Sequence, residues 1–321
     1  MTGRLVHTGQ VVLDLVMRVP SLPPTGGDVL AESTELLPGG GFNVMSAAAR
    51  SGARVVYAGA HGTGRFADQA REALRAEGIE AAQPQQTDSD NGICVALVEP
   101  GGERTFVTGV GAEGRLLPEQ LAQVRTEPDD VVYVSGYSLL HASNREALLD
   151  WLPGVGSRVM LDPCPLVADI PAEVLDAVLP RVDVLSCNAA EARALTGSPD
   201  AETAAHDLGS RLGSSAVVVR DGANGCVLAV QGEIRRVPGF SADPVDTNGA
   251  GDTHCGVLAA ALLEGADLPE AALRANAAAA LSVQRRGPAT APLRAELAEF
   301  LARRTSPTPT PQTRSQWKSG S

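Results

Sequence analysis

The residues of this chain that could do chemistry begin with a short run of small residues ending in a carboxylate, Asp246–Asp252 (DTNGAGD), directly before the apolar stretch 253–263. A tight turn at Gly249 to Gly251 leaves backbone N–H groups pointing outward where a helix begins, and such groups attract a phosphate or a developing oxyanion. A carboxylate beside an anion makes most sense as a base that takes the proton from an attacking hydroxyl. The run therefore predicts phosphoryl transfer to an alcohol, with Asp252 as the base.

Asp252 also has a purely structural interpretation, because an Asp at the start of a helix can accept hydrogen bonds from the first free N–H groups. On the residues of the turn alone, both interpretations are open. The run resembles the signature near the C-terminal end of the PfkB carbohydrate kinases, the ribokinase-like family, which reads Asp-Thr-x-Gly-Ala-Gly-Asp. The resemblance implies an ATP-dependent kinase that uses Mg²⁺ and phosphorylates a primary hydroxyl of a sugar, with Gly249, Ala250 and Gly251 as the anion hole.

A second signature of that family lies near the N-terminus, in Pro38–Val44 (PGGGFNV) and the alanine-rich segment 45–53. Its glycines allow close approach to the main chain, and Asn43 opens a helix, where it is either a cap or a ligand contact. The resemblance implies that Asn43 and the backbone of three glycines contact sugar hydroxyls; the glycines are Gly39, Gly40 and Gly41. Ribokinases proper usually carry Gly-Gly-Lys-Gly-x-Asn. The loop here is one residue shorter and lacks the Lys, so the acceptor sugar is left open.

Asp14 is the next acceptor candidate. The apolar run 5–15 predicts a buried strand with Gly9 at a point of close approach and Asp14 at its end. A carboxylate in that place is expensive to bury without partners. The resemblance implies that Asp14 holds two sugar hydroxyls, and the alternative is a solvated Asp at a strand end.

Asn188 and Glu191 stand three residues apart after the predicted strand 182–187. This spacing is that of a capping box at a helix start. The resemblance implies a further role, in which the pair organises Mg²⁺ and the nucleotide phosphates, with Glu191 acting through water. Magnesium commonly retains several waters, so such an outer contact is chemically adequate.

Two later segments are predicted to bind the nucleotide. The strand 216–219 leads into a glycine-bearing loop with Arg220, Gly222 and Gly225, which resembles the nucleotide-binding turn of the family. Arg220 is either a phosphate contact or a solvated arginine. Asn276 lies inside the alanine-rich helix 270–283, where Asn is a poor helix former. The resemblance implies that Asn276 touches the adenine, and an ordinary Asn on a helix surface is the alternative.

The resemblance also implies a monovalent cation such as K⁺ beside the phosphate site, held by Asp246 and the turn 287–290. Asn248 replaces a more usual Thr or Val in that loop. His254 and Cys255 follow the predicted base directly. His254 is expected to pack in the first helical turn, and no separate base or glycine elbow supports Cys255 as a nucleophile.

Composition agrees with a small-molecule enzyme. The 321 residues carry a formal charge of −12, which argues against nucleic acid as a partner. The five cysteines are odd in number and widely spaced, so neither zinc nor a disulfide framework is predicted. With no signal-peptide pattern and no long apolar run, the expected location is the cytoplasm, away from membranes.

Strand-like and helical runs alternate over most of the chain, which predicts an α/β fold with a mainly parallel sheet flanked by helices. Segments 11–37 and 92–109 each predict a pair of antiparallel strands instead. The resemblance implies a ribokinase-like three-layer sandwich over 1–303, in which these strands form a small β-sheet lid over the sugar and a contact for a homodimer. Residues 304–321 are rich in Ser, Thr and Pro and are predicted to be a disordered tail.

Three other functions are alternatives to a sugar kinase. A nucleoside kinase of the same family uses the same hydroxyl chemistry and remains open. A catalytically silent sugar-binding protein on the same scaffold is disfavoured by the intact run 246–252. A dinucleotide-dependent dehydrogenase is disfavoured because no Gly-x-Gly-x-x-Gly follows a strand with an acidic residue about twenty positions on.

Overall fold

The computed structural model describes residues 3–213 and 215–305. The strands are β1 (Arg4–His7), β2 (Val11–Arg18), β3 (Ser33–Gly40), β4 (Arg54–Tyr57), β5 (His61–Gly62), β6 (Glu80–Ala81), β7 (Gln85–Gln86), β8 (Ile93–Val98), β9 (Arg104–Gly109), β10 (Val131–Ser135), β11 (Arg158–Asp162), β12 (Val184–Asn188), β13 (Ala216–Arg220), β14 (Gly225–Val230) and β15 (Glu233–Pro238).

Helices connect most of these strands, with short 3₁₀ turns between some of them. The α-helices are α1 (Gly41–Arg50), α2 (Arg65–Ala76), α3 (Pro118–Leu121), α4 (Gly136–Leu140), α5 (Ala142–Trp151), α6 (Ala172–Val178), α7 (Ala189–Thr196), α8 (Ala201–Leu212), α9 (Ala250–Leu263), α10 (Leu268–Ser282) and α11 (Arg294–Thr305). Helix α11 takes in the first two residues of the predicted tail, and residues 306–321 lie outside the described residues.

A nine-stranded sheet in the order β15-β14-β13-β12-β11-β10-β1-β4-β6 forms the middle layer. Its strands pair in parallel except at one edge, where β14 pairs antiparallel with both β13 and β15. Alternate residues of each strand enter two separate hydrophobic cores: Val131 and Tyr133 of β10 face one, whereas Val132 and Val134 face the other. Helices cover both faces because both faces are apolar. The predicted three-layer α/β fold is thus confirmed.

The first predicted strand is wrong in its extent. Residues 5–15 form two strands, because the chain leaves the large sheet after His7 and enters a smaller sheet at Val11. The break is held by a hydrogen bond of 3.1 Å that the Gly9 N–H donates to Nδ1 of His7. Asp14 therefore lies within β2 rather than at a strand end.

The smaller sheet has four strands in the order β3-β2-β8-β9. Strands β2 and β3 pair antiparallel, as do β8 and β9, and these are the two hairpins that the sequence predicts. Strands β2 and β8 join the hairpins in parallel. We call this sheet the lid sheet.

The five cysteines are all buried and free. Among the described residues, no helix combines the length and the apolar character needed to cross a bilayer.

Candidate active site

The first turn of α9 presents the predicted anion hole. The helix begins at Ala250, three residues before the predicted start, with Gly249 as N-cap in the left-handed region at φ 71°. A Cβ on Gly249 would lie 2.1 Å from the carbonyl oxygen of Pro288, so only glycine fits there. Among the described residues, the N–H groups of Gly249, Gly251 and Asp252 meet no acceptor. Three free donors at a helix N-terminus can bind an anion.

The half-buried carboxylate of Asp252 lies in the same helical turn. Its Oδ2 accepts a hydrogen bond of 2.9 Å from Nδ2 of Asn43, and it accepts none from a backbone N–H, so the N-cap interpretation is wrong. Burial raises the pKa of Asp252 to about 6, while the Asn43 hydrogen bond acts in the opposite direction. At neutral pH the group is therefore ionised and close enough to its pKa to accept a proton.

Close contact between α1 and α9 brings Asn43 and Asp252 together. A Cβ on Gly256 of α9 would lie 2.3 Å from the carbonyl oxygen of Val44 and 2.8 Å from the Cβ of Ala47. The two backbones thus touch where glycine and alanine face each other. Sequence analysis identified both signatures, but this contact is what joins them.

Asn43 does not cap its helix, contrary to one of the two interpretations of the sequence. Helix α1 begins at Gly41 with Gly40 as N-cap, and Asn43 is its third residue. The Oδ1 atom of Asn43 is buried and has no hydrogen-bond donor among the described residues. An unpartnered buried acceptor beside the base fits a hydroxyl of a bound ligand.

Asp14 is buried in β2 and, among the described residues, its carboxylate accepts no hydrogen bond. It lies against the α-carbon of Gly39, where a Cβ would come within 2.2 Å of Oδ2. Burial raises the pKa of Asp14 to about 7, and the charge of Asp252 adds to this rise. The lone carboxylate is costly unless hydroxyl donors reach it, as a polyol would.

The glycines of the first signature serve the protein's own packing as well. A Cβ on Gly41 would lie 2.2 Å from Cε1 of His7, and one on Gly40, at φ 61°, would lie 3.0 Å from the carbonyl oxygen of Gln10. These glycines let α1 start directly against the end of β1. The family resemblance implied only the contacts of these glycines with the sugar.

Two polar residues at this place were missed from the sequence. The Nε2 atoms of His7 and Gln10 are buried without a partner among the described residues, and His7 stacks on Tyr133. Burial lowers the pKa of His7 to about 3, so its ring is neutral. Their position after the carboxyl end of a parallel strand, where α/β proteins bind ligands, could have identified them.

Asn188 and Glu191 form a complete capping box at the start of α7. The Asn188 Oδ1 accepts from the Glu191 N–H at 2.8 Å, and both Glu191 oxygens accept from Asn188, at 2.8 and 2.7 Å. Burial and the neighbouring Asp162 raise the pKa of Glu191 to about 7, against the opposing charge of Arg220. Both oxygens of Glu191 are therefore engaged by donors of the protein.

Arg220 is not a solvated arginine. Its guanidinium is buried in ion pairs with Asp162 at 3.0 Å and Glu191 at 3.3 Å, and it donates to Oγ of Ser186 at 2.9 Å. A Cβ on Gly251 would lie 3.8 Å from its Nη2. A fixed positive charge therefore lies beside the anion hole. Asp162, which sequence analysis did not place in the site, is part of this cluster.

The other residues predicted to bind the nucleotide differ in the space around them and in their free hydrogen-bonding groups. Gly222, at φ 56°, faces open space, whereas a Cβ on Gly225 would lie 2.2 Å from the carbonyl oxygen of Val237. Asn276 is buried and not on a helix surface: its Nδ2 donates to the carbonyls of Val237 and Pro238 at 3.2 and 3.1 Å. These bonds tie α10 to the end of β15, so its amide donors are taken by the protein.

The residues after the base pack inward, as expected. His254 is buried, its Nε2 lies 3.1 Å from Oδ1 of Asn276, and burial lowers its pKa to about 3. Burial raises the pKa of the Cys255 thiol, which makes a poor nucleophile.

The carboxylate of Asp246 is surrounded by donors. Its Oδ1 accepts from the N–H of Asn248 at 2.9 Å and pairs with the guanidinium of Arg104, and its Oδ2 accepts from the N–H of Gly287 at 3.2 Å. Nη2 of Arg18 lies 4.0 Å from Oδ2. Among the described residues, no group of three or more His, Cys, Asp and Glu could hold a metal ion by itself.

Comparisons with known proteins show what this chain is similar to. The family described as pfkB family carbohydrate kinase matches residues 3–295. The chain is 31% identical to the uncharacterized sugar kinase YegV of Escherichia coli K12, covering 90% of this chain and 91% of that one. It is 28% identical to the ribokinase of Haemophilus influenzae, covering 94% and 99%. The solved structure of Arabidopsis thaliana ribokinase complexed with ribose and ATP matches at a TM-score of 0.76 and 25% identity, covering 94% and 99%.

Proposed function

Because this chain belongs to the pfkB family of carbohydrate kinases, we propose that it transfers the γ-phosphoryl group of ATP to a primary hydroxyl of a small sugar or sugar derivative. The chain is an ATP-dependent phosphotransferase with an alcohol acceptor, a sugar or a nucleoside. One observation carries the proposal of phosphoryl transfer to a hydroxyl at this site. The Asp252 carboxylate shares a helical turn with three N–H groups that have no acceptor among the described residues.

In this mechanism Asp252 takes the proton of the acceptor hydroxyl as its oxygen attacks the γ-phosphorus. The new O–P bond forms while the bond between the γ-phosphorus and the β,γ-bridging oxygen breaks, and ADP leaves. The N–H groups of Gly249, Gly251 and Asp252 stabilise the charge on the transferred group. Ala250 contributes less, because its N–H already faces the carbonyl oxygen of Thr247 at 3.4 Å.

The acceptor is held by Asp14, Asn43 and the backbone of Gly39 to Gly41. Asp14 accepts hydrogen bonds from two hydroxyls, which compensates the carboxylate that otherwise has no donor among the described residues. The free Oδ1 of Asn43 accepts a third. These contacts orient a polyol with one hydroxyl toward Asp252.

The nucleotide phosphates are held between the α9 turn and Arg220, with Asn188 nearby. A Mg²⁺ ion held here would supply positive charge to neutralise the phosphates. Glu191 would hold it through water, since its oxygens are engaged by Asn188 and Arg220. The loop with Gly222 and Gly225 lies against the nucleotide. Asn276 can meet the adenine only by packing, because its amide donors are engaged.

The residues at Asp246 do not fit the monovalent cation that the resemblance implies. Both carboxylate oxygens already accept an N–H, and two guanidinium groups face them. No step of the proposed mechanism passes through such an ion.

We further propose that residues 1–303 form one kinase domain in which the lid sheet covers the sugar. Covering the acceptor excludes water that would compete for the phosphoryl group. Strand β9 is an edge of the lid sheet with exposed apolar side chains at Phe106 and Val107, which supports a homodimer through this sheet. A cytoplasmic location stays a prediction that rests on the free, buried cysteines.

A turnover screen tests the proposal. ADP release with ATP and Mg²⁺ is measured for pentoses, hexoses, ketoses, 2-keto-3-deoxy acids and nucleosides, with Asp252→Asn as the matched inactive control. Turnover with a sugar supports a sugar kinase, and turnover with nucleosides alone supports the nucleoside alternative. A chain that binds sugars without ADP release is the silent binding protein. Activity must also vanish with EDTA and return with Mg²⁺; metal-independent turnover contradicts the mechanism.

A further inference from the structure

We propose that Arg104 is a positioning residue: its guanidinium takes the place of a monovalent cation at Asp246 and ties the lid sheet to the loop that carries the anion hole. The inference rests on the proposed function, because it concerns the same site. Asp246, Asn248, Gly287 and Arg104 define what we call the Asp246 bracket.

The register of the lid sheet places two arginines on the face that carries Asp14. Arg18 of β2 pairs with Val98 of β8, and Val98 pairs with Arg104 of β9, so the three residues share one row. Arg18 follows Asp14 by four residues in the same strand, and the period of two puts both on one face. Both arginines therefore extend from the same face of the lid sheet as Asp14, and both approach Asp246.

Both oxygens of the Asp246 carboxylate accept hydrogen bonds from the protein. Oδ1 receives the Asn248 N–H and the Arg104 guanidinium, while Oδ2 receives the Gly287 N–H. Nη1 of Arg104 also donates to Oγ1 of Thr247 at 3.3 Å, which fixes the guanidinium on this loop. Arg104 and Asp246 are 16% and 11% exposed, so their attraction is weakly screened.

A bound cation would meet repulsion in this place. One carboxylate charge faces the guanidinium of Arg104 directly and that of Arg18 at 4.0 Å. A K⁺ ion would have to enter next to these like charges and share oxygens that already have donors. The guanidinium supplies the positive charge that a cation would supply.

The Asp246 bracket supports the anion hole through the backbone. Asp246 binds the N–H of Asn248, the residue before Gly249, and the N–H of Gly287, the residue before Pro288. The carbonyl of Pro288 is the atom that a Cβ on Gly249 would strike at 2.1 Å. Holding Asp246 therefore holds both sides of the turn that presents the N–H groups. Arg104 acts on the reaction through this turn and not by contact with substrate.

The test compares wild type, Arg104→Gln, Arg104→Lys and Arg115→Gln in KCl and in tetramethylammonium chloride at equal ionic strength. Arg115→Gln is the matched control, because Arg115 forms an exposed ion pair with Asp88 at 3.1 Å. The midpoint of thermal unfolding and kcat are both measured. A cation that binds only the folded state raises the midpoint, so the first readout reports K⁺ binding without any substrate.

For wild type and Arg115→Gln we expect the same midpoint in both salts and kcat values that agree within about twofold. Arg104→Gln should lose about tenfold in kcat in tetramethylammonium chloride and regain part of it in KCl, with a midpoint that rises only in KCl. Arg104→Lys, which keeps a compact positive charge, should remain independent of K⁺.

A rise of the wild-type midpoint specific to K⁺, or activation of wild type by K⁺ of about tenfold or more, overturns the inference. So does an Arg104→Gln variant that matches wild type in both readouts. The kinase mechanism and the role of Arg104 can be overturned independently of each other. Absence of turnover with every acceptor overturns the kinase mechanism, while the midpoints still decide whether Arg104 replaces the cation.

Discussion

Nδ2 of Asn43 lies 2.9 Å from Oδ2 of Asp252, although the two residues are 209 positions apart in the chain. The hydrogen bond joins the two sequence signatures into one site. It orients the carboxylate and stabilises its ionised form, which is the form a base requires. The amide oxygen of Asn43 has no donor among the residues that the structure describes, so it can accept a hydrogen bond from the acceptor hydroxyl while Nδ2 holds the carboxylate.

Replacing Asp252 by Asn removes the base while keeping its shape. We expect kcat to fall by about 10³ or more, with the thermal midpoint equal to or above that of wild type, because a costly half-buried charge is lost. Sugar and ATP affinities, measured by calorimetry, should change little. A variant that keeps normal turnover would remove Asp252 from the mechanism.

The pH profile of kcat/KM should report the Asp252 carboxyl of the ligand-free enzyme. Its pKa of about 6 predicts a tenfold loss of kcat/KM per pH unit below that value, since the protonated acid cannot accept a proton. Asn43→Ala removes the hydrogen bond that lowers this pKa, so the acidic limb should move to higher pH. The two profiles are compared at substrate concentrations far below KM. An unshifted limb in Asn43→Ala would contradict the assignment.

Asp14 should cost stability at neutral pH. Its pKa is raised from 3.8 to about 7 on folding, so the folded state binds more protons between these values and stability falls as pH rises through that window. Asp14→Asn should therefore gain stability relative to wild type by about 1.4 kcal/mol for each pH unit crossed.

The useful measurement is the difference in the free energy of unfolding between Asp14→Asn and wild type. The buried, neutral histidines His7 and His254 make stability rise with pH in both proteins, so their effect cancels in that difference. Denaturant unfolding at several pH values between 4 and 8 gives that difference. Asp150→Asn, on the surface of α5, is the control and should show no such trend. KM for the sugar should rise in Asp14→Asn; a constant stability difference would mean that the carboxylate is not desolvated.

The Arg220 cluster allows structural and catalytic roles to be separated. Arg220→Met leaves Asp162 and Glu191 buried without their partner and should destabilise the protein by about 3 kcal/mol or more. Adding Asp162→Asn and Glu191→Gln removes the stranded charges and should restore most of the thermal midpoint. If Arg220 serves the phosphates, kcat of the triple variant falls below that of the double variant Asp162→Asn/Glu191→Gln, which carries the same change at Glu191 and keeps Arg220. Full recovery of the thermal midpoint and of kcat would mean that Arg220 has a structural role only.

Short motifs predicted several of these residues from their types and spacing. Asp14, Asn43 and Asp252 come together in the structure, and the capping box of Asn188 and Glu191 forms as its spacing indicates. Their roles in binding and catalysis stay predictions. The exact place of a residue in its element was harder to predict, because Asp14 lies within β2 and not at a strand end, and Asn43 is the third residue of its helix and not its cap.

What the sequence did not predict depends on distant contacts. The apolar run 5–15 is continuous, so nothing in its pattern marks the change of sheet between His7 and Val11. Arg220 ends a strand as a solvated arginine would, and only Asp162, 58 positions away, makes it a buried ion. The pairing of Arg104 with Asp246 spans 142 positions and has no periodic pattern at all.

The contact of Gly256 with Val44 also limits how this cleft can open. No side chain separates the two helices at that point, so the base and the acceptor amide belong to one rigid unit, and neither helix can slide without a clash of main-chain atoms. On the proposed function, we expect entry of the acceptor and release of the product to depend on movement of the lid sheet, whose four strands are not part of this unit. The ion pair between Arg104 and Asp246 joins the lid sheet to the loop before α9, so such movement would have to break it.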